Sequence, residues 1–271
     1  MVNSDLPRPA LLQDLPDEFA DLRPILEANL EPYIAIAATQ VTPPPPPRHP
    51  ADPLTRWQSK VGGDPYFPTQ ATYPTNPNTG LPLALLVQLN CADVPPIDGF
   101  DFPAEGMWQL YVGGGELARS YRDGIFQVIY FPTVTNDPAD LIADFSFVPL
   151  RETYRDQFDA VSSLTFTVRQ DLFLDLNSPN LEAFDPDMVA DFEDWLYDYV
   201  IETEASGLGS KLGGWPDSHG SAPDFLYRSK GRLLLELAGI QGSSESIYCF
   251  IDNDSLQARD FSAVRFFHGC D

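Results

Sequence analysis

Apolar positions along the chain recur with two periods, which divide it into helical and extended stretches. Leu15, Phe19, Leu22, Leu26 and Leu30 fall at spacings of three and four and predict an amphipathic helix over 11–30. Pro24 is expected to kink that helix or divide it in two. A clearer helix is predicted over 186–204, with Asp185 as N-cap, Pro186 in the first turn and Gly207 ending the segment. Its stripe of Met188, Val189, Phe192, Trp195, Leu196, Tyr199 and Val200 is expected to pack against a sheet. The other face carries Asp187, Asp191, Asp194, Asp198 and Glu202.

Short apolar runs predict strands at Tyr33–Ala38, Leu83–Asn90, Met107–Val112, Ile125–Phe131, Leu141–Val148, Leu164–Val168, Leu233–Leu237, Ser246–Ile251 and Ala263–Phe267. Between Ser59 and Pro96, Gly62-Gly63, Pro65, Pro68, Asn76-Pro77-Asn78 and Gly80 force an irregular loop ahead of Leu83. Residues 41–56 form a proline-rich loop, in which Pro43 to Pro47 impose an extended polyproline segment. A stiff surface loop is the favoured reading of that run, and a ligand for an aromatic-lined groove is the alternative.

The most informative pattern is a repeat. Ser59-Lys60-Val61-Gly62-Gly63-Asp64-Pro65 returns as Ser210-Lys211-Leu212-Gly213-Gly214-Trp215-Pro216. Each copy is followed by a leucine-rich strand, Leu85-Leu86-Val87-Gln88-Leu89 and Leu233-Leu234-Leu235-Glu236-Leu237. Shared motifs in the same order predict an internal duplication. The expected fold is α+β, with a duplicated β-rich core and N-terminal and central helices. It would be one globular unit over 1–271, with a first half at 30–150 preceded by helix 11–30 and a second half at 151–271 that includes helix 186–204.

SKVGGDPYFP, NPNTGLPLALLVQLNCADVPP and FPAEGMWQLYV, followed by SKLGGWP, LLLEL and IYCFIDNDSLQARDFSAVRFF, resemble the YwqG-like bacterial proteins, a family of unknown function. The resemblance covers roughly residues 30 to 270, because several motifs match in order. It implies an α+β fold with a duplicated β-rich core, and it brings no cofactor and no catalytic residues. The chain departs from the family at Ile240–Ser246, where a Trp-Gly-Asp-type segment is common. The acidic helix and the proline run look particular to this chain.

Charge narrows the partners. Forty acidic residues against 16 basic ones give a net charge of −24. That field repels nucleic acid and anionic membrane surfaces, and it would steer a basic protein, a cationic ligand or a metal ion. Solubility alone is the plainer explanation. Met1 to Pro9 is polar and broken by prolines, and Cys91, Cys249 and Cys270 form an odd, scattered set. Both features suit a reducing cytoplasm.

Lys60 with Gly62-Gly63, and Lys211 with Gly213-Gly214, resemble an anion cradle but lack the Ser/Thr and the spacing of a nucleotide loop. The plainer reading is a tight bend that lets two backbones approach, with each lysine paired to a carboxylate or to carbonyls. Gln88 and Glu236 occupy equivalent strand positions, with Gln109 on the next strand, and are expected to hydrogen-bond across the two halves. His219 follows Asp217 and Ser218 too closely for a catalytic triad, and His49 and His268 have no supporting metal spacing. Asp252-Asn253-Asp254 lacks the glycine and the closing glutamate of a calcium loop. No metal and no cofactor is therefore expected.

The leading expectation is a non-enzymatic binding module, immunity- or antitoxin-like, that engages a basic protein through the acidic helix face. The alternative is a small-ligand protein or enzyme with its site in a groove between the halves, lined by Lys60, Gly62, Gly63, Lys211, Gly213, Gly214, Trp215 and Glu236.

Overall fold

Among the described residues, ten strands form a single sheet in which every neighbouring pair is antiparallel. The computed structural model describes residues 6, 8–41, 52–113, 125–148, 161–172, 181, 183–203, 209–216, 231–238 and 245–270. The strands are β1 (Leu30–Val41), β2 (Lys60–Val61), β3 (Ala84–Asn90), β4 (Met107–Val112), β5 (Phe126–Phe131), β6 (Val161–Leu172), β7 (Lys211–Leu212), β8 (Arg232–Leu237), β9 (Glu245–Ile251) and β10 (Arg265–Cys270). Their spatial order is β10-β9-β8-β7-β1-β6-β2-β3-β4-β5.

The long central pair sets the frame: β1 and β6 align over twelve residues, from Leu30 opposite Leu172 to Val41 opposite Val161. Ile34, Ile36 and Leu164 face inward and are buried, whereas Ala37, Thr39, Thr165 and Thr167 alternate outward into solvent. The sheet curls around its apolar inner face, so that Phe126 of β5 stacks on Phe266 of β10 with ring centroids 5.0 Å apart. Leu86, Val87, Leu89, Trp108, Leu110, Leu234, Leu235, Leu237, Ile247 and Cys249 fill the enclosed core.

On either side of the central pair the same local pattern occurs. Lys60 lies opposite Gln88 and Val61 opposite Val87, while Lys211 lies opposite Glu236 and Leu212 opposite Leu235. A bulge interrupts β3 between Leu85 and Val87, and another interrupts β8 between Leu233 and Leu235. Ser59 Oγ accepts from the Asn90 N–H at 2.9 Å, and Ser210 Oγ from the Ala238 N–H at 3.2 Å. The first strand of each stretch crosses over: β1 pairs with β7, and β6 pairs with β2.

The helices stand beside one end of the central pair. The amphipathic N-terminal segment is not one helix. It comprises α1 (Ala10–Gln13), a 3-10 turn at Asp17–Leu22 and α2 (Arg23–Ala28), and Leu30 already belongs to β1. The break falls at Asp14–Pro16, and Pro24 is accommodated in the first turn of α2, where a missing N–H costs nothing. The central helix α3 (Pro186–Thr203) forms as predicted, and the Asp185 carboxylate accepts from the Asp187 N–H at 3.0 Å. Its stripe packs on the N-terminal segment rather than on the sheet face. Phe192 is enclosed with Leu12, Leu15, Phe19, Leu22 and Leu26, and Leu30 and Leu172 are the sheet's contribution.

Leu141–Val148 is not a strand. Leu141 makes a single bridge to Pro68, and Phe145 is buried in a loop among Phe67, Tyr73 and Phe147. Asp252 caps α4 (Asn253–Ala258) by accepting from the Ser255 N–H at 2.8 Å, which gives the Asp-Asn-Asp segment a structural use. Pro43–Pro47, His49, Gly207 and His219 lie outside the described residues.

Candidate functional site

The first glycine motif encloses a charge of its own chain. Lys60 is fully buried, and its Nζ donates to Asp52 Oδ2 at 2.6 Å and to the Thr55 carbonyl at 3.0 Å. The same carboxylate accepts from the Asp64 N–H at 2.9 Å and the Leu54 N–H at 2.8 Å. Gly63 has φ 71°, and a Cβ there would overlap the carboxylate. The anion held at this cradle is therefore Asp52. Burial pushes the Lys60 ammonium below its ordinary pKa, opposed by the Asp52 charge beside it. Arg56, 2.6 Å from Asp64 and stacked over Phe145, closes the loop.

Gln88 and Gln109 complete a polar network with Arg56, Gln58, Tyr66 and Tyr111, all within residues 30–150, rather than reaching across to Glu236 as expected. Gln88 Oε1 accepts from the Tyr66 N–H at 2.7 Å and from Gln109 Nε2 at 2.8 Å, while Gln88 Nε2 donates to the Arg56 and Gln58 carbonyls, both at 2.9 Å. Tyr111 Oη donates to Gln109 Oε1 at 3.0 Å.

Lys211 is equally buried, but its surroundings differ. Its Nζ donates to the Trp215 carbonyl at 3.1 Å and lies 5.2 Å from the centre of the Tyr33 ring, with Glu236 fully buried opposite on β8. A Cβ on Gly214 would press on Tyr33 at 2.7 Å, so that glycine is needed for close approach, whereas one on Gly213 would be in tight contact with Ile97 and Phe100 at 3.3–3.4 Å. Lys60 and Lys211 lie on different strands, β2 and β7, with β6 and β1 between them. They stand three strand spacings apart, about 14 Å, and are offset along the strands because Lys211 lies opposite Ala35 whereas Lys60 lies opposite Ser163, the partner of Thr39.

An open cleft lies elsewhere, between the N-terminal 3-10 turn and the start of α3. It measures about 450 Å³ and is lined by Glu18, Phe19, Asp185, Asp187, Met188, Asp191, Asp194 and Trp195. Three of the five acidic positions expected on this helix, Asp187, Asp191 and Asp194, line it. Asp198 does not, and the Glu202 side chain lies outside those described. Trp195 sits 5.8 Å from both Phe19 and Phe192, and 5.1 Å from Tyr199, whose hydroxyl donates to Asp14 at 2.7 Å. Among the described residues, no salt bridge engages Asp187, Asp191, Asp194 or Asp198.

Sequence reasoning missed Asp52, Glu18 and Phe19. Nothing in the spacing marks Asp52 as the partner of Lys60, and Glu18 and Phe19 meet α3 only through tertiary packing. Among the described residues, no three His, Cys, Asp or Glu side chains cluster as metal ligands, and no helix is long and apolar enough to cross a membrane.

Residues 59–270 match the family model described as Domain of unknown function (DUF1963). The chain belongs to that family. No curated protein shows significant similarity to it. The DUF1963 match begins at Ser59, the first residue of the first glycine motif, and ends on β10. Asp52, the whole of β1 and the N-terminal helical segment lie outside the match. The acidic cleft is therefore composite: Glu18 and Phe19 come from outside the DUF1963 match, and Asp185 to Trp195 from within it.

Proposed function

We propose that this chain is a non-enzymatic, immunity- or antitoxin-like binding module of the bacterial cytoplasm, which receives a basic segment of a protein partner in the acidic cleft. The observation that carries this reading is the cleft itself: five carboxylates around the rings of Phe19 and Trp195. An arginine or lysine side chain entering it meets opposite charge beside the partly exposed Trp195 ring, where a cation over a ring gains about 0.5–1 kcal/mol at exposed sites. The net charge of −24 adds long-range steering toward any basic partner and away from nucleic acid. Against the ligand-site alternative, the fully buried Lys60 already directs two of its three donors to Asp52 and Thr55.

The same reading takes the family as YwqG-like, on the SKVGG and SKLGG motifs, and the chain as an internal duplication. The matching registers, bulges and serine hydrogen bonds on the two sides of the sheet support the duplication. In that arrangement each half lends its first strand to the other.

Titration with a synthetic arginine-rich peptide, followed by Trp fluorescence, tests the cleft. Asp187→Asn, Asp191→Asn and Asp194→Asn together are expected to weaken binding at least about tenfold, or about 1.4 kcal/mol. Equal affinity for both proteins would remove the cleft as the site.

A further inference from the structure

Among the described residues, the two edges of the sheet face each other without pairing. Because neighbours alternate in direction across all ten strands, β5 and β10 run antiparallel across this seam. Side chains bridge it: Phe126 stacks on Phe266, and Tyr130 meets Phe261 edge-on at 5.3 Å. Among the described residues, no backbone hydrogen bond joins β5 to β10.

The ladder on the other side of β5 fixes which groups face the seam. The Gly113 N–H donates to the Ile125 carbonyl at 2.8 Å, so the hydrogen-bonded pairs with β4 are Tyr111–Gln127, Gln109–Ile129 and Met107–Phe131. The N–H and C=O groups of Phe126, Val128 and Tyr130 therefore point into the seam. An open edge is ordinarily guarded by charge, proline or a bulge. Phe-Gln-Val-Ile-Tyr-Phe has none of these, in a chain of net charge −24.

We propose that the seam receives an extended strand of a partner protein, uncharged over its buried length and apolar at alternate positions. A strand matches the spacing of the outward N–H and C=O groups of β5, and its alternating side chains reach the inner face. There they meet Phe126, Val128, Tyr130 and Phe266, all packed on the main core. No charged side chain of β5 calls for a charged strand. A second copy of the chain is disfavoured as occupant, because two bodies of charge −24 repel each other and the seam is flanked on both sides by the same barrel. This inference is independent of the acidic cleft.

Amide hydrogen exchange on the full chain tests it, with a synthetic peptide copying residues 126–131, lysine-tagged at both ends, as the probe. In the free protein the amides of Phe126, Val128 and Tyr130 should exchange faster than those of Gln127, Ile129 and Phe131. The peptide should slow the first three at least about tenfold. A control peptide N-methylated at alternate residues keeps its charge, loses its donors and should have no effect. Val128→Pro removes an outward N–H without touching the ladder to β4 and should abolish the protection. Equal protection of the two amide sets in the free protein overturns the proposal, as does protection that grows with protein concentration alone. So does a full-strength effect of the methylated peptide, or none from the parent peptide.

Discussion

Asp52 and Lys60 form a buried ion pair at 2.6 Å, with both side chains almost completely withdrawn from solvent. Removing one member of such a pair strands the other in a low-dielectric interior, at a cost of about 3–5 kcal/mol. Asp52→Asn should therefore lower stability by that amount near neutral pH. The sign of the pH effect follows from Lys60, whose folded pKa already lies below its ordinary value because of burial. Between the lowered pKa and the ordinary one, the unfolded chain binds more protons, so stability rises with pH. Without Asp52 the lowering deepens and the window widens. Denaturant melts at neutral and alkaline pH should show the Asp52→Asn deficit shrinking as pH rises; a constant deficit would mean that Lys60 is not the stranded charge.

Gly63 and Gly80 share the left-handed backbone, with φ 71° and 73°, but differ in surroundings. Nothing lies near a Cβ built on Gly80, whereas one on Gly63 overlaps Asp52. Gly80→Ala should cost only the backbone term, about 1–2 kcal/mol. Gly63→Ala should cost clearly more, because it also displaces the carboxylate from Lys60. Comparing the two melts separates close approach from conformational freedom, and equal losses would contradict the cradle geometry.

The sequence made some of these elements plain and hid others for physical reasons. β3, β4, β5 and β8 were legible because they are uninterrupted apolar runs between turns, and α3 because Asp185 and its apolar stripe mark it. The full lengths of β1 and β6 were not, because Thr39, Thr165, Thr167 and Arg169 face solvent and break the apolar run. Leu141–Val148 misled in the opposite way: its apolar residues serve a packed loop, and apolar content alone does not distinguish a loop core from a strand. The acidic face of α3 was readable from helical spacing. That it meets Glu18 and Phe19 was not, because the contact joins segments far apart in the chain.

Phe192 and Trp195 belong to one stripe but are buried to different degrees. Phe192 is fully enclosed by the N-terminal segment, and Trp195 is half-buried at the cleft. Phe192→Ala should cost about 3–5 kcal/mol, the range for a large aromatic removed from a core. Trp195→Ala should cost less while weakening capture of the arginine-rich peptide. The reverse order of stabilities would place the wrong side of α3 against the N-terminal segment.

Because β1 pairs with β7 and β6 pairs with β2, neither residues 1–148 nor residues 161–271 hold all the partners of their own strands. Fragments 1–148 and 161–271 should each lack a cooperative melt when alone and regain one when mixed. A cooperative, monomeric melt of either fragment would show that the exchanged strand is dispensable.

The most direct measurement of the central claim is the association rate with a partner captured from the native host. The comparison is between the wild-type chain and one with Asp187, Asp191, Asp194 and Asp198 changed to Asn and Glu202 to Gln. Stopped-flow traces would be recorded as the Debye length falls from about 30 Å at 0.01 M salt to about 8 Å at 0.15 M. The account predicts a wild-type rate that drops steeply with salt, and a variant rate that starts low and changes little. A wild-type rate indifferent to salt and matched by the variant would contradict it, leaving the acidic face of α3 as a solvated helix surface and nothing more.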